Sequence, residues 1–210
     1  MAQAKILTDN ELLTVLLACE STRWPERNRL MVLLSFKAGL RAQEIARLRR
    51  WHIQTPGGDI DTHIHLDKTV IKGGLKSKGA SRPRTVPISD ELRQTIIDYY
   101  RVAPGSYQDP LVRSERADIT AVDHGAEIPE PMLSRSIVRL FQQLFRRAGL
   151  IGCRSHSGRR TFGTKTARAI TRAGGSLKDV QEMLGHSNLA TTQRYIEGDE
   201  EAKMKVVNLI

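Results

Sequence analysis

The chain has 210 residues, 40% of them apolar and only 5% aromatic, with 33 Lys and Arg against 23 Asp and Glu for a formal charge of +10. That length fits one domain of ordinary size, or a domain with short tails, and the apolar share is enough to bury a core. The charge argues for a polyanionic partner such as nucleic acid, the alternative being a well-solvated surface, while the lack of a long apolar or amphipathic segment argues against a membrane.

The N-terminus MAQAKILTDN has no apolar signal region, so the expectation is a soluble cytoplasmic protein. Cys19 and Cys153 have neither metal spacing nor the numbers for a disulfide framework. Thr8 followed by Asp9, Asn10 and Glu11 is a capping box, in which Thr8 caps and Glu11 reaches back. Leu12, Leu13, Val15, Leu16 and Cys19 then recur at helical spacing, predicting a helix over 9–20 with Cys19 in the core. A second helix begins near Pro25, carries Leu30, Met31, Leu33, Leu34 and Phe36, and stops at Gly39. A short third helix over 40–48 has Arg41 at its start and Glu44 one turn on; taken alone, that pair is an ordinary surface ion pair.

The texture then changes. Alternation over Asp59–Leu66 predicts a strand, and Thr69–Ile71 and Arg84–Ile88 predict two more, giving a small three-stranded antiparallel sheet. The Gly- and Ser-rich connector KGGLKSKGASRPR carries Lys72, Lys76, Lys78, Arg82 and Arg84, a basic hairpin suited to a phosphate backbone or simply a solvated loop tip. Ser89 opens another helix that ends before Pro104, and 104–131 has no period, predicting a long acidic surface loop. Helices follow over about 136–145, closed by Gly149, over 157–173, broken by Gly174 and Gly175, and from Ser176 to Gly185 with Asp179 in a capping role. A short helix over 189–197 bears Tyr195, and a last one over about 199–208 offers Met204, Val206, Val207, Leu209 and Ile210. The fold class is therefore mainly α with a small sheet (α+β).

From Pro131 through Lys178 there is no acidic residue, while Arg135, Arg139, Arg146, Arg147, Arg154, Arg159, Arg160, Lys165, Arg168, Arg172 and Lys178 are basic. So many cations in a stretch without acidic residues of its own repel one another unless something neutralises them, and nucleic-acid phosphate does so. Three boxes sharpen this: AGLRAQEIARL at 38–48, HSGRRTF at 156–162 and LGHSNLATTQRY at 184–195. In that order they resemble the catalytic domain of the tyrosine recombinase (phage integrase) family. Its pattern is an early Arg followed three residues on by Glu, then H-x-x-R, then L-G-H with the nucleophilic Tyr nine residues later.

The resemblance covers the chain from about Thr8 onward and implies a tyrosine-recombinase catalytic-domain fold that cleaves and rejoins DNA through a 3′-phosphotyrosyl intermediate. It makes Tyr195 the nucleophile, Arg41 and Arg159 the clamp on the non-bridging phosphate oxygens, and His156 and His186 the two histidines, with Glu44 ordering the arginine and histidine. The lysine general acid falls at Lys78 of the Lys78-Gly79 pair, with Lys76 and Lys72 as rivals. Further DNA contacts are expected from Lys72, Lys76, Arg82, Arg84, Arg154 and Arg160. Neither metal nor nucleotide cofactor is implied, because the arginines neutralise the phosphate and the phosphotyrosine bond conserves the energy of the broken ester.

Two departures stand out. Gly158 and Arg160 occupy positions where the family usually has an apolar residue and a second histidine, and Gly158 weakens the start of its helix. Only about eight residues precede the first helix, where most members carry a core-binding domain. The expectation is one catalytic domain over 1–210 (core about 8–197) with a tail at 198–210 that packs on a neighbouring subunit or on its own core. That fits either a complete small recombinase, similar to the fimbrial-switch invertases, or a shortened chain. Expected partners are double-stranded DNA, further copies in a tetrameric synapse, and accessory DNA-bending proteins or partner recombinases, in a bacterial nucleoid. The alternatives are a DNA-binding regulator on the same fold and a type IB topoisomerase, which shares much of this chemistry.

Overall fold

The computed structural model describes residues 3–71, 82–114 and 129–193. Its centre is a helix apolar on nearly every side. Helix α2 (Pro25–Lys37) runs RNRLMVLLSFK after its first turn, and Leu30, Met31, Val32, Leu33 and Leu34 are wholly buried. A helix without a polar face must be surrounded. Helices α1 (Asp9–Glu20), α3 (Ala42–Arg47), α4 (Asp90–Val102), α5 (Ser134–Arg147) and α6 (Ser157–Ala169) all touch it. Burying each large apolar side chain of that run contributes roughly 1.5–3 kcal/mol, which makes α2 the main anchor of the fold.

The helix ends follow their sequence signals. Glu11 N donates to Thr8 Oγ1 at 3.2 Å and Thr8 N to Glu11 Oε2 at 2.9 Å, completing the capping box of α1. Ser89 caps α4, whose Leu92, Thr95, Ile96 and Tyr99 face α2. Helix α5 is strongly two-faced: Ile137, Phe141, Leu144 and Phe145 are buried, while Arg135, Arg139, Gln142 and Arg146 are exposed. Ser176 and Asp179 form a capping box on α7 (Leu177–Leu184), which Gly185 closes in the left-handed region at φ +63. A last described helix, α8, spans Leu189–Gln193. Val180 and Leu184 of α7 join Ala167 of α6 in a satellite core, and Phe162 packs against both it and the main core.

Among the described residues the sheet has two strands, β1 (His63–Leu66) and β2 (Arg84–Pro87), antiparallel with Ile64 opposite Val86. The third strand expected at Thr69–Ile71 is a turn. Asp67 Oδ1 accepts from the backbone N–H groups of Thr69 (2.8 Å) and Val70 (3.3 Å), and Asp67 O accepts from Ile71 N at 3.2 Å. Those bonds curl the chain away from a ladder. Val70 and Ile71 are nevertheless buried, so their apolar character reflects burial rather than extension.

The expected surface loop at 104–131 also needs correction at its near end. Leu111 and Val112 are buried, Leu111 N donates to Leu48 O at 2.8 Å, and Met132 N donates to Val112 O at 2.9 Å. Residues 115–128, with most of the acidic side chains, lie outside the described residues, as does the tail helix at 199–208. No helix among the described residues is long and apolar enough to cross a membrane.

Candidate active site

Glu44 is the node. It is completely buried on α3, and each carboxylate oxygen accepts two hydrogen bonds. Oε1 accepts from Arg41 Nη1 and Arg84 Nη1, both at 3.0 Å. Oε2 accepts from Arg41 N at 2.9 Å and Arg84 Nη2 at 3.0 Å. Burial alone would raise the carboxyl pKa, but Arg84, with Arg159 and Arg41 behind it, brings it down to about 2. Glu44 is therefore ionised, and the pair that reads as an ordinary surface pair when taken alone is buried at its acidic end, beneath Arg41.

Arg159 ties the three sequence boxes together. It enters on the first turn of α6, is 4% exposed, and donates through Nη1 to Gly39 O at 2.7 Å and through Nη2 to Leu184 O. One carbonyl belongs to the first box and the other to the third. Each of these nitrogens carries a second N–H, so the anchoring does not exhaust the guanidinium. Two glycines allow the close packing. Gly39 has φ +67, and a Cβ there would sit 2.5 Å from Phe162 of the second box. At Gly158 a Cβ would lie 2.3 Å from Ser35 Oγ and 2.8 Å from Phe36. The glycine that sequence reading took as a weak helix start lets α6 press onto α2.

His186 follows Gly185 and is buried. Its Nδ1 shares a 2.9 Å hydrogen bond with Oγ1 of Thr192, itself fully buried on α8. Burial and the cations Arg159, Arg41 and Arg84 push its pKa down to about 3, so the ring is neutral near pH 7. A neutral imidazole whose Nδ1 accepts from a hydroxyl carries its proton on Nε2. Sequence reading assigned Thr192 no role; its place three residues before Tyr195 was the available signal.

Arg41, His156, Arg159 and His186 all line one cleft of about 330 Å³, together with Arg160, Thr191, Gln3 and Ala4. His156 is exposed at the start of α6. Arg160 Nη1 donates to Ala4 O at 2.6 Å, holding residues 3–7 across α6. Arg154 and Arg82 are exposed. Arg84 is not: its side chain is 4% exposed and turned onto Glu44, unlike the surface DNA contact expected. Tyr195, Lys72, Lys76 and Lys78 lie outside the described residues. Three guanidiniums, Arg84, Arg159 and Arg41, surround the one Glu44 carboxylate for a local net charge of +2, and Arg160 adds a further cation to the cleft lining, a site shaped for an anion. Among the described residues no group of three or more His, Cys, Asp or Glu side chains stands together to hold a metal.

The model of the phage integrase family matches residues 5–202. The tyrosine recombinase XerC of Lactobacillus leichmannii is 32% identical over 170 residues, covering 80% of this chain and 50% of that protein. XerA of Thermococcus kodakarensis is 31% identical over 191 residues, covering 91% and 57%. The chain thus spans about half the length of these curated relatives. Among solved structures, XerA recombinase superposes on all of the chain and 64% of its own, with TM-score 0.67 and 21% identity. The Tn1549 transposon integrase in complex with a circular intermediate DNA does so over all of the chain and 67% of its own, with TM-score 0.72 and 15% identity.

Proposed function

The chain belongs to the phage integrase family, and we propose that it is a site-specific DNA recombinase that breaks and rejoins strands through a phosphotyrosyl bond at Tyr195. The observation that carries the reading is convergence: Arg41, Arg159 and His186 come from three boxes far apart in sequence and line one cleft above a buried Glu44.

In this reading a DNA phosphodiester enters the cleft with its non-bridging oxygens toward Arg41 and Arg159. The Tyr195 hydroxyl oxygen attacks phosphorus as its proton passes to His156. The bond to the 5′ oxygen breaks, and the departing 5′-hydroxyl takes a proton from Lys78. The pentacoordinate state carries one more negative charge than the diester, and the net positive charge of the site favours it over the ground state. His186, neutral and held at Nδ1 by Thr192, offers Nε2–H to a phosphate oxygen. Attack of a 5′-hydroxyl on the phosphotyrosine reverses the step. Because the ester energy is retained, rejoining needs no nucleotide. Double-stranded DNA is the substrate, and strand exchange calls for further copies of the chain on it.

The test mixes purified protein with plasmid bearing the DNA that flanks its own gene, with EDTA present, and looks for protein bound to DNA after SDS. An adduct that disappears in Tyr195→Phe is the expected result. A Tyr195→Phe protein that still forms it would end the proposal.

A further inference from the structure

We propose that Arg84 is a positioning residue for the reaction: it holds the Glu44 carboxylate so that Arg41 stays turned to the phosphate, and it ties β2 to the turn that carries His186. The inference rests on the recombinase reading and deepens the same site.

All three guanidinium nitrogens of Arg84 are engaged on the protein. Nη1 and Nη2 each donate to one oxygen of Glu44 at 3.0 Å, and Nε donates to Met183 O at 2.8 Å. A cation meant for the DNA backbone points outward; this one is 4% exposed. Its partner cannot be left alone, since a buried carboxylate without a cation either takes up a proton or recruits another donor. The donor at hand is Arg41, which gives Glu44 one side-chain bond and is 23% exposed on the cleft side. Arg84 thus satisfies Glu44 from beneath and spares Arg41. A second observation is independent of the carboxylate: a Cβ on Gly185 would fall 2.9 Å from Arg84 Cδ and 3.1 Å from its Nη1. The glycine of L-G-H therefore makes room for Arg84 as well as closing α7, placing this side chain between the strand after segment 72–81 and His186.

The charged groups facing Glu44 are Arg41 at the start of its own helix, Arg84 from β2 and Arg159 from α6, and the titratable but neutral His186 faces it from the turn after α7. Lysine keeps the charge of Arg84 but cannot span both carboxylate oxygens and Met183 O.

The experiment compares the full chain, Arg84→Lys, Arg84→Gln, Glu44→Gln and Arg84→Lys/Glu44→Gln. It reads circular dichroism, affinity for duplex DNA, the rate of Tyr195 adduct formation against pH, and the NMR titration of the Glu44 carboxyl. We expect Arg84→Lys to fold, to bind DNA within about threefold of wild type, and to form adduct roughly 10–100-fold more slowly. Its profile gains a second acid limb that is absent from wild type and from the double variant, and the Glu44 carboxyl titrates at higher pH. Equal losses of DNA affinity and rate, or an unmoved Glu44 titration, overturn the proposal, as does failure of both Arg84 variants to fold. If the wild-type chain forms no adduct, the recombinase reading fails separately, and the Glu44 titration still decides whether Arg84 holds the carboxylate.

Discussion

Thr192 and His186 show how much of this site depends on a single proton. Thr192 Oγ1 lies 2.9 Å from His186 Nδ1, and a hydroxyl that donates there sets the tautomer with its proton on Nε2. Thr192→Val keeps the shape but removes the hydroxyl, and single-turnover cleavage should fall about tenfold while Thr192→Ser stays near wild type. Arg159 anchors two carbonyls as well as facing the cleft, so Arg159→Ala should lose roughly 10²–10³-fold in cleavage rate on properly folded protein. Glu44 and His186, the two buried groups of the site that titrate in the acid range, also set an acid limit on stability. Folded His186 resists protonation down to about 3 where the unfolded side chain protonates near 6.5, and folded Glu44 stays ionised to about 2 against an ordinary 4.5. In each case the unfolded chain binds more protons, so stability is full above 6.5 and falls as pH drops through these windows, His186 acting first. His52, also pushed down by burial, adds to the upper window. The melting temperature should therefore decline from pH 7 toward about 5, and less steeply in His186→Asn; equal slopes would contradict the assignment.

The elements meet through glycines, and two of them separate conformation from contact. Gly39 and Gly149 share φ +67, but a Cβ on Gly39 meets Phe162 whereas one on Gly149 meets nothing within 4 Å. Gly149→Ala should cost about 1 kcal/mol in a denaturant titration and Gly39→Ala about 2–4 kcal/mol, the excess measuring the α2–α6 approach. Most element positions were legible because caps and periodicity are local: Thr8 with Glu11, Pro25, Ser89, and Ser176 with Asp179 all act within one helical turn. What escaped was set by partners far along the chain. Arg84 reads as one more hairpin cation until Glu44, forty residues earlier, is folded against it. Leu111 and Val112 sit in an aperiodic stretch, and only their bonds to Leu48 and Met132 reveal that they belong to the core. The turn at Thr69–Ile71 was misread because β-branched residues favour strands while Asp67 diverts their N–H groups. Gly158 carries no sign in sequence that Ser35 and Phe36 lie against it.

At the scale of the molecule, the acid-free stretch from Pro131 to Lys178 supplies an exposed basic face of α5 and, through His156, Arg159 and Arg160 of the second box, part of the cleft lining. Arg135, Arg139 and Arg146 are exposed along α5, and Arg154 stands exposed ahead of α6. DNA affinity should fall steeply with salt, and Arg139→Glu should flatten the plot of log affinity against log salt by about one unit of slope. The order of the three boxes anticipated their meeting, because Arg41, His156, Arg159 and His186 reach one cleft. The nucleophile is assigned by family pattern, and sequence supplies a direct way to find it. Arg194 precedes Tyr195 and the next basic residue is Lys203, so trypsin releases Tyr195–Lys203 as one peptide. Protein trapped on a nicked duplex should be digested with nuclease and trypsin and then mapped by mass spectrometry. The account predicts a nucleotide joined through its 3′ phosphate to Tyr195 in that peptide. A nucleotide on any other residue, or none on a chain that binds the duplex, would contradict it.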